Sequence, residues 1–265
     1  MPAGIIIGCP VSVNGYLFEF SEKKEKPLAK DQQKSTETPQ TQQFGGDIRY
    51  IAIEGVIGVG KTSLASMLGE YFSARVVLER FEENPFLERF YEDPEHYAFQ
   101  TQMSFLLSRY KQQQELFQAD LFHNILITDY IFEKDKIFAY LNLQDDELKL
   151  YETVVGAIEK NILTPDLIIY LQSSTERLME NIKKRARPYE KHITAEYLKD
   201  LNEAYNYFFF RYRQAPLLIV NASEIDFVNR AEDFNELLTE ITRQNRSPVE
   251  YYNPLKKKGT QKEDT

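Results

Sequence analysis

The sequence predicts an α/β fold in which helices cover both faces of a five-stranded parallel sheet. Short apolar runs alternate with longer helix-like stretches, which is typical of buried strands joined by helical crossovers. The strand candidates are residues 49–53, 74–79, 124–128, 166–171 and 217–220. The helix candidates are residues 61–72, 94–117, 132–143, 145–161, 174–184, 194–213 and 229–243. Ligands of such sheets bind at the carboxyl ends of the strands, so we expect functional side chains in the loops that follow them.

A phosphate-binding motif follows the first strand. Residues 55–62 fit the pattern G-x-x-x-x-G-K-[ST] between a strand and a helix, which predicts a fold of the P-loop NTPase type. The glycines let backbone N–H groups point at phosphate oxygens, and the start of the helix adds positive charge. Lys61 supplies a charge for the β- and γ-phosphates, and the Thr62 hydroxyl is a hard oxygen ligand for Mg²⁺. The residues predicted to bind ATP are Gly55, Val56, Ile57, Gly58, Val59, Gly60, Lys61, Thr62 and Ser63.

Local composition divides the chain into three parts. Residues 1–46 are predicted to be an N-terminal extension, with a small hairpin that turns at Asn14-Gly15 and then a flexible polar linker. Residues 47–245 hold the alternating pattern and form the main domain, and residues 246–265 are predicted to be a polar tail. The apolar run at residues 4–9 is short and lacks a basic segment before it, which favours a strand over a secretory signal.

Whole-chain composition excludes several classes of protein. The formal net charge of −9 argues against a general nucleic-acid binder, because such domains are basic. No stretch approaches the roughly 18 apolar residues that a membrane span needs. The single cysteine, Cys9, rules out an internal disulfide and favours a cytoplasmic location. We therefore expect a small-molecule substrate, with neither a nucleic-acid polymer nor a membrane as a partner.

Charged side chains follow the later strands. Glu79 could be the general base for a hydroxyl that attacks the γ-phosphate, or else a surface or helix-capping acid. Asp129 could complete the Mg²⁺ site with Thr62, or it could cap the next helix. Arg185 and Arg187 could close as a lid over the transferring phosphate, or they could form a solvated helix end. Each alternative stays open while its residue is considered alone.

Over residues 49–243 these segments together resemble the deoxynucleoside kinase family. The match includes Glu79 with Asn84-Pro85, the segment 90–109, and the basic segment that leads to Glu190 and residues 196–198. The resemblance implies a helical lid above the sheet. It also implies a catalytic set in which Glu79 takes the proton of the substrate 5′-hydroxyl and three cations neutralise the migrating phosphoryl group, these being Lys61, Arg185 and Arg187.

The resemblance further implies how a deoxynucleoside binds. Tyr91 would contact the sugar 3′-hydroxyl, Glu190 another sugar hydroxyl, and Gln102 the edge of the base. Arg109 would contact the base, oriented by an acidic residue that is best matched by Asp135. The implied substrate-binding set is Glu79, Tyr91, Gln102, Arg109, Asp135 and Glu190. A guanidinium held by a carboxylate offers fixed donors to ring acceptors such as N7, which favours purine deoxynucleosides first and deoxycytidine second.

One position departs from the family pattern. The family usually carries an arginine directly after the acid of the third strand, and this chain has Tyr130 there. We hypothesise that Arg80, Lys134 or Lys136 supplies the missing charge, and that removing the Arg80 side chain lowers turnover if Arg80 is that residue.

The sequence therefore predicts an ATP- and Mg²⁺-dependent deoxynucleoside kinase of nucleotide salvage. Two alternatives stay open. A nucleoside monophosphate kinase would need a further arginine near the second strand, and Arg80 could be that residue. A nucleotide-dependent switch would carry a guanine-specifying motif such as Asn-Lys-x-Asp, which this sequence lacks. The resemblance also implies a homodimer, with residues 94–117 and 145–161 as its contact face.

Overall fold

The computed structural model describes residues 48–116 and 123–254, and within them it forms one sheet of six parallel strands. The predicted N-terminal hairpin and linker lie outside the described residues. The strands stand in the order β2-β3-β1-β4-β5-β6, so β1 is central. Their bounds are β1 Tyr50–Gly55, β2 Arg75–Val77, β3 Leu126–Thr128, β4 Leu167–Gln172, β5 Leu217–Asn221 and β6 Val249–Tyr252. The predicted fold class is confirmed.

The sixth strand corrects the sequence prediction of five strands followed by a polar tail from residue 246. Residues 249–252 pair in parallel with β5 at the edge of the sheet. The segment is too short and too polar to be recognised as a strand. Its one acidic residue, Glu250, accepts hydrogen bonds from Arg246 at 2.8 Å and contacts Arg243 at 2.9 Å, so its charge is compensated in the fold. Residues 255–265 of the predicted tail lie outside the described residues.

The described residues form eight α-helices. Sequence pattern predicted seven of them, with ends shifted by a few residues, and missed α2, which is too short to show a helical period. Local signals explain several helix ends. Ser174 and Thr194 cap two helices by accepting the N–H groups of Arg177 and Tyr197. The bounds are α1 Lys61–Phe72, α2 Leu87–Glu92, α3 Pro94–Leu116, α4 Lys134–Asn142, α5 Asp145–Ile158, α6 Thr175–Arg185, α7 Ala195–Arg211 and α8 Ala231–Thr242.

Two hydrophobic clusters hold the fold together. The main cluster surrounds the sheet, and in it Tyr170 of β4 stacks on Phe209 of α7 with ring centroids 4.2 Å apart. A second, smaller cluster joins α3, α4 and α5 through Leu106, Phe132, Ala139, Tyr151 and Val155. Within the described part of the chain no helix combines the length and apolarity needed to cross a membrane.

Strand register brings the loops that follow β1, β3 and β4 to one edge of the sheet. Ala52 pairs with Thr128 of β3, and Gly55 pairs with Leu171 of β4. The phosphate-binding motif begins at Gly55, and Asp129 directly follows Thr128. Two of the predicted functional segments therefore emerge side by side.

Candidate active site

The phosphate loop has the geometry of an anion cradle. Gly60 precedes α1 with a φ of 104°, a left-handed conformation that favours glycine, and it places no side chain over the first N–H groups of the helix. At Gly55 the backbone passes so close to β4 that an added Cβ would lie 2.5 Å from the carbonyl oxygen of Leu171. The open N–H groups and the helix dipole favour an anion here.

Lys61 folds back over the phosphate loop. Its Nζ donates to the carbonyl oxygens of Gly55 at 2.8 Å and Val56 at 3.4 Å. Burial and the nearby Lys134 ammonium lower the pKa of Lys61 to about 8. Phosphate oxygens would offer this ammonium stronger acceptors than the two carbonyls do.

Thr62 and Asp129 form a pair of hard oxygen ligands beside the loop. The Thr62 hydroxyl donates to Asp129 Oδ2 at 2.6 Å, and Asp129 Oδ1 accepts the backbone N–H of Glu79 at 2.7 Å. Mg²⁺ is usually held by one or two such side chains together with substrate phosphates and water. Across residues 48–116 and 123–254 there is no cluster of three or more acidic, His or Cys ligands that would form a metal cage from protein alone. The pair fits Mg²⁺ bound with a nucleotide.

Glu79 lies directly beyond β2 and is held by two buried cations. Its Oε1 accepts from Arg109 Nε at 2.9 Å and contacts Arg109 Nη2 at 2.6 Å, and its Oε2 accepts from Lys134 Nζ at 2.6 Å. Burial raises the pKa of Glu79, but Lys134 and Arg109 outweigh burial and lower it to about 2. Glu79 is therefore ionised at neutral pH, as an acceptor of a hydroxyl proton must be.

Asp135 supports Gln102 and Arg109 of α3, the residues predicted to contact the nucleobase. Its carboxylate accepts from Arg109 Nη1, and its backbone carbonyl accepts from Gln102 Nε2 at 2.8 Å. The sequence prediction placed Asp135 among the substrate-binding residues. In the structure it is 1% exposed, is absent from the cavity wall and contacts Arg109 and Gln102, so any part of Asp135 in substrate binding would act through these two side chains.

The lid arginines converge on one buried acid. Arg185 ends α6 and donates from Nε to Glu190 Oε2 at 3.1 Å, while Arg187 Nη1 lies 3.7 Å from Glu190 Oε1. The Arg187 guanidinium also stacks over the ring of Phe81, 4.4 Å from its centroid. After α6 the chain forms a short 3₁₀ turn over Pro188–His192, and the ring centroid of Tyr189 in this turn lies 6.2 Å from that of Phe81, which follows β2.

One cavity joins these groups. It encloses about 880 Å³, including the part open to solvent, which suits a nucleoside. The predicted residues on its wall are Ile57, Gly58, Lys61, Thr62, Glu79, Tyr91, Gln102, Arg109, Asp129, Arg185, Arg187 and Glu190. A second cleft of about 1000 Å³ contains Val59, Gly60 and Ser63 and shares Gly58 and Arg185 with the first. We call the first the acceptor cavity and the second the donor cleft, for the roles that we propose for them.

Several residues of the site were missed or left undecided by sequence analysis. Of the three candidates for the missing charge, Lys134 lines the acceptor cavity. Arg80 instead pairs with Glu115 at 2.9 Å, and Lys136 pairs with Glu159 at 2.6 Å. Residues 225–229, on the wall of the donor cleft, carried no motif beyond their position after β5.

Tyr130, where the chain departs from the family pattern, and Glu54 are both buried beside the phosphate loop and the segment after β3. The ring of Tyr130 is fully buried in the fold, and among the described residues its hydroxyl has no hydrogen-bond partner. Glu54, the one acid of β1, accepts the N–H groups of Gly55 and Ile131 at 3.0 Å each. Glu54 thereby ties the start of the phosphate loop to the segment after β3. A single carboxylate in an otherwise apolar strand was the signal that could have revealed it.

Comparison with known proteins agrees with this geometry. The family model described as "Deoxynucleoside kinase" matches residues 51–245. A deoxyguanosine kinase from Bacillus subtilis (strain 168) is 34% identical over 199 residues, which are 72% of this chain and 95% of the relative. A deoxyadenosine kinase from Dictyostelium discoideum is 37% identical over 182 residues, 66% of this chain and 73% of the relative. A solved deoxyadenosine kinase from M. mycoides, with the products dCMP and a flexible dCDP bound, has a TM-score of 0.64 at 27% identity and covers 72% of this chain and 98% of its own.

Proposed function

Since the chain belongs to the deoxynucleoside kinase family, we propose that it transfers the γ-phosphoryl group of ATP to the 5′-hydroxyl of a purine deoxynucleoside, with deoxycytidine as a weaker acceptor. The observation that carries the proposal is the ionised Glu79 carboxylate on the wall of a nucleoside-sized cavity that also contains Lys61 and Thr62 of the phosphate loop. An acceptor hydroxyl in that cavity would lie between the general base, Glu79, and the phosphate loop.

The groups of this site account for each bond and each proton of the phosphoryl transfer. The 5′-oxygen attacks the γ-phosphorus while its proton passes to Glu79. The bond from the γ-phosphorus to the bridging oxygen breaks, and ADP leaves with the electron pair. Lys61 and the lid arginines Arg185 and Arg187 lie on the same cavity wall and neutralise the migrating group. Thr62 and Asp129 would hold Mg²⁺ together with the nucleotide, and the ion would neutralise phosphate charge there.

Recognition of the base follows from α3 and α4. Gln102 and Arg109 face the cavity with their orientation fixed by Asp135. A fixed amide and a fixed guanidinium suit a ring that carries both acceptors and an exocyclic amine or carbonyl. The aromatic side chains Phe105 and Phe138 on the same wall offer apolar area to the ring. The names of the relatives that act on deoxyguanosine and deoxyadenosine support the purine preference.

The proposed function is tested by measuring ADP release with ATP and each of four acceptors: deoxyguanosine, deoxyadenosine, deoxycytidine and dTMP. We expect the two purine deoxynucleosides to give the highest kcat/KM. A preference for dTMP would favour a monophosphate kinase, which the pairing of Arg80 with Glu115 outside the cavity speaks against. Absence of any acceptor-dependent ADP release would favour the nucleotide switch.

We also propose that the protein is a cytoplasmic homodimer. The single cysteine supports a reducing compartment. Leu107 of α3 and Leu150 of α5 remain 55% and 53% exposed, as expected of side chains covered by a second copy. A molar mass measured by light scattering tests the dimer, and L107E with L150E should shift that mass to the monomer. An unchanged mass for the double variant would move the interface elsewhere.

A further inference from the structure

Lys134 is a buried ammonium in the acceptor cavity, and the sequence offered it only as one of three candidates for the missing charge. We propose that Lys134 is the positioning residue for Glu79: it holds the carboxylate in the orientation from which Glu79 accepts the 5′-hydroxyl proton. The inference rests on the proposed kinase function and concerns the same site. Lys134, the first residue of α4, would thereby supply the positive charge that is missing at Tyr130.

The contacts of Lys134 favour this role over a structural one. The side chain is 6% exposed, and its Nζ lies 2.6 Å from Glu79 Oε2. Taking an ammonium out of water is costly unless it is paired. Among the described residues the Lys134 ammonium donates one hydrogen bond, to Glu79, and it lies 5.8 Å from the ring centroid of Phe138. Two of its three donors therefore have no acceptor among the described residues, on a side chain that lines the cavity.

The two cations on Glu79 divide its carboxylate between them. Arg109 binds Oε1 with two nitrogens, and its third contact, to Asp135, fixes the guanidinium in place. Lys134 alone binds Oε2. Without Lys134 only Oε1 of the Glu79 carboxylate would be held, and the carboxylate could rotate. Oε2 would then meet the acceptor hydroxyl in orientations that do not favour proton transfer. Positioning of a proton acceptor is part of the rate that general bases contribute.

The other two candidate cations, Arg80 and Lys136, are paired with carboxylates other than that of the general base Glu79. The guanidinium of Arg80 binds Glu115 Oε2 at 2.9 Å, and both side chains are more than a third exposed. The ammonium of Lys136 binds Glu159 Oε2 at the same 2.6 Å that separates Lys134 from Glu79. Lys136 lies on the same helix but on the wall of a different groove, between α4 and α7. Lys136 is therefore a matched control, because it is a lysine with a carboxylate partner at equal distance, two residues away and outside the cavity.

The test compares K134M and K136M with the wild-type enzyme in ADP release, and measures the deoxynucleoside dissociation constant separately. K134M keeps the length and most of the volume of the side chain and removes the charge. We expect kcat to fall roughly 10- to 100-fold in K134M, while the deoxynucleoside dissociation constant stays within about threefold. The reason is that the lost interaction is made with the general base Glu79 and not with the nucleoside. K136M should keep kcat within about twofold.

A double-variant cycle separates positioning from stability. If Lys134 acts through Glu79, replacing it in an E79Q background should change the single-turnover rate by less than about threefold, because the group it positions is already gone. A structural role would cost the same factor in both backgrounds. K134Q, which is uncharged but keeps a donor, repeats the cycle if K134M does not fold, and thermal unfolding checks every variant.

The inference is overturned if K134M keeps a near wild-type kcat, if nucleoside binding alone is lost, or if the effect is undiminished in the E79Q background. The wild-type rate with deoxyguanosine or deoxyadenosine reports on the proposed function by itself. Absence of that rate would refute the kinase proposal, whereas a normal rate with an unaffected K134M would refute only the role of Lys134.

Discussion

At the scale of single residues, the site is organised around a carboxylate with more positive than negative neighbours. Glu79 faces Arg109 and Lys134 at hydrogen-bond distance, and the phosphate-loop Lys61 adds attraction from farther away. The excess of cations keeps Glu79 ionised and prepares the cavity for an anion that arrives with the nucleotide. The position of Glu79 after a buried strand could be predicted from the sequence. Its two partners lie 30 and 55 residues away along the chain, and only the fold brings them together.

Replacing this carboxylate tests its chemical role. We expect E79Q to lower kcat roughly 10²- to 10⁴-fold, the usual contribution of a general base, while the KM for ATP stays within about threefold. E83Q is the matched control from the same loop, since Glu83 is 65% exposed and lies 3.9 Å from Arg80. Both rates follow from ADP release at saturating substrate. A kcat for E79Q within tenfold of wild type would assign the proton to another acceptor.

At the scale of elements, α4 fixes the side chains by which α3 is proposed to contact the nucleobase. The carboxylate and the backbone carbonyl of Asp135 each anchor one residue of α3, so the two helices present Arg109 and Gln102 together. Helical period predicted both helices. It could not show that Asp135 points at Arg109, because the two residues lie 26 positions apart on different helices and only the fold brings them together.

Neutralising Asp135 should weaken nucleoside recognition selectively. In D135N the backbone carbonyl still accepts from Gln102, so only the charge that fixes Arg109 is lost. We expect the KM for the preferred deoxynucleoside to rise about tenfold or more, the value of a hydrogen bond to a charged group, with the KM for ATP unchanged. D146N is the control, because Asp146 is 99% exposed at the start of α5. An unchanged nucleoside KM in D135N would show that Arg109 needs no such anchor.

At the scale of the whole molecule, the alternating pattern was enough to predict the parallel sheet, its helices and the edge where ligands bind. It failed where tertiary contacts replace local signals. The edge strand β6 contains Glu250, whose charge is compensated by contacts with Arg243 and Arg246, and α2 is too short for its period to be seen. For the aromatic residues of α7, in contrast, the local pattern was sufficient. An apolar helical face predicts packing against the sheet, and Phe209 of α7 stacks on Tyr170 of β4.

Adjacent phenylalanines of α7 give a matched test of that packing. Phe209 is 1% exposed and stacks on Tyr170, whereas Phe210 is 66% exposed. We expect F209A to lower the free energy of unfolding by about 3–5 kcal/mol, the usual cost of emptying a buried aromatic site. F210A should change it by less than about 0.5 kcal/mol, as exposed substitutions do. Urea denaturation measures both, and equal losses would contradict the burial described for α7.

The second hydrophobic cluster has a consequence for how this enzyme can diverge. Leu106 of α3, Ala139 of α4 and Val155 of α5 belong to it, whereas the phosphate loop rests on the main cluster around the sheet. Leu116 of α3 and Ile137 of α4 nevertheless belong to the main cluster, so these two helices pack on both clusters. Substitutions at Leu106, Ala139 or Val155 can therefore shift α3, α4 and α5 relative to one another without removing a side chain from the cluster under the phosphate loop, whereas changes at Leu116 or Ile137 would alter both.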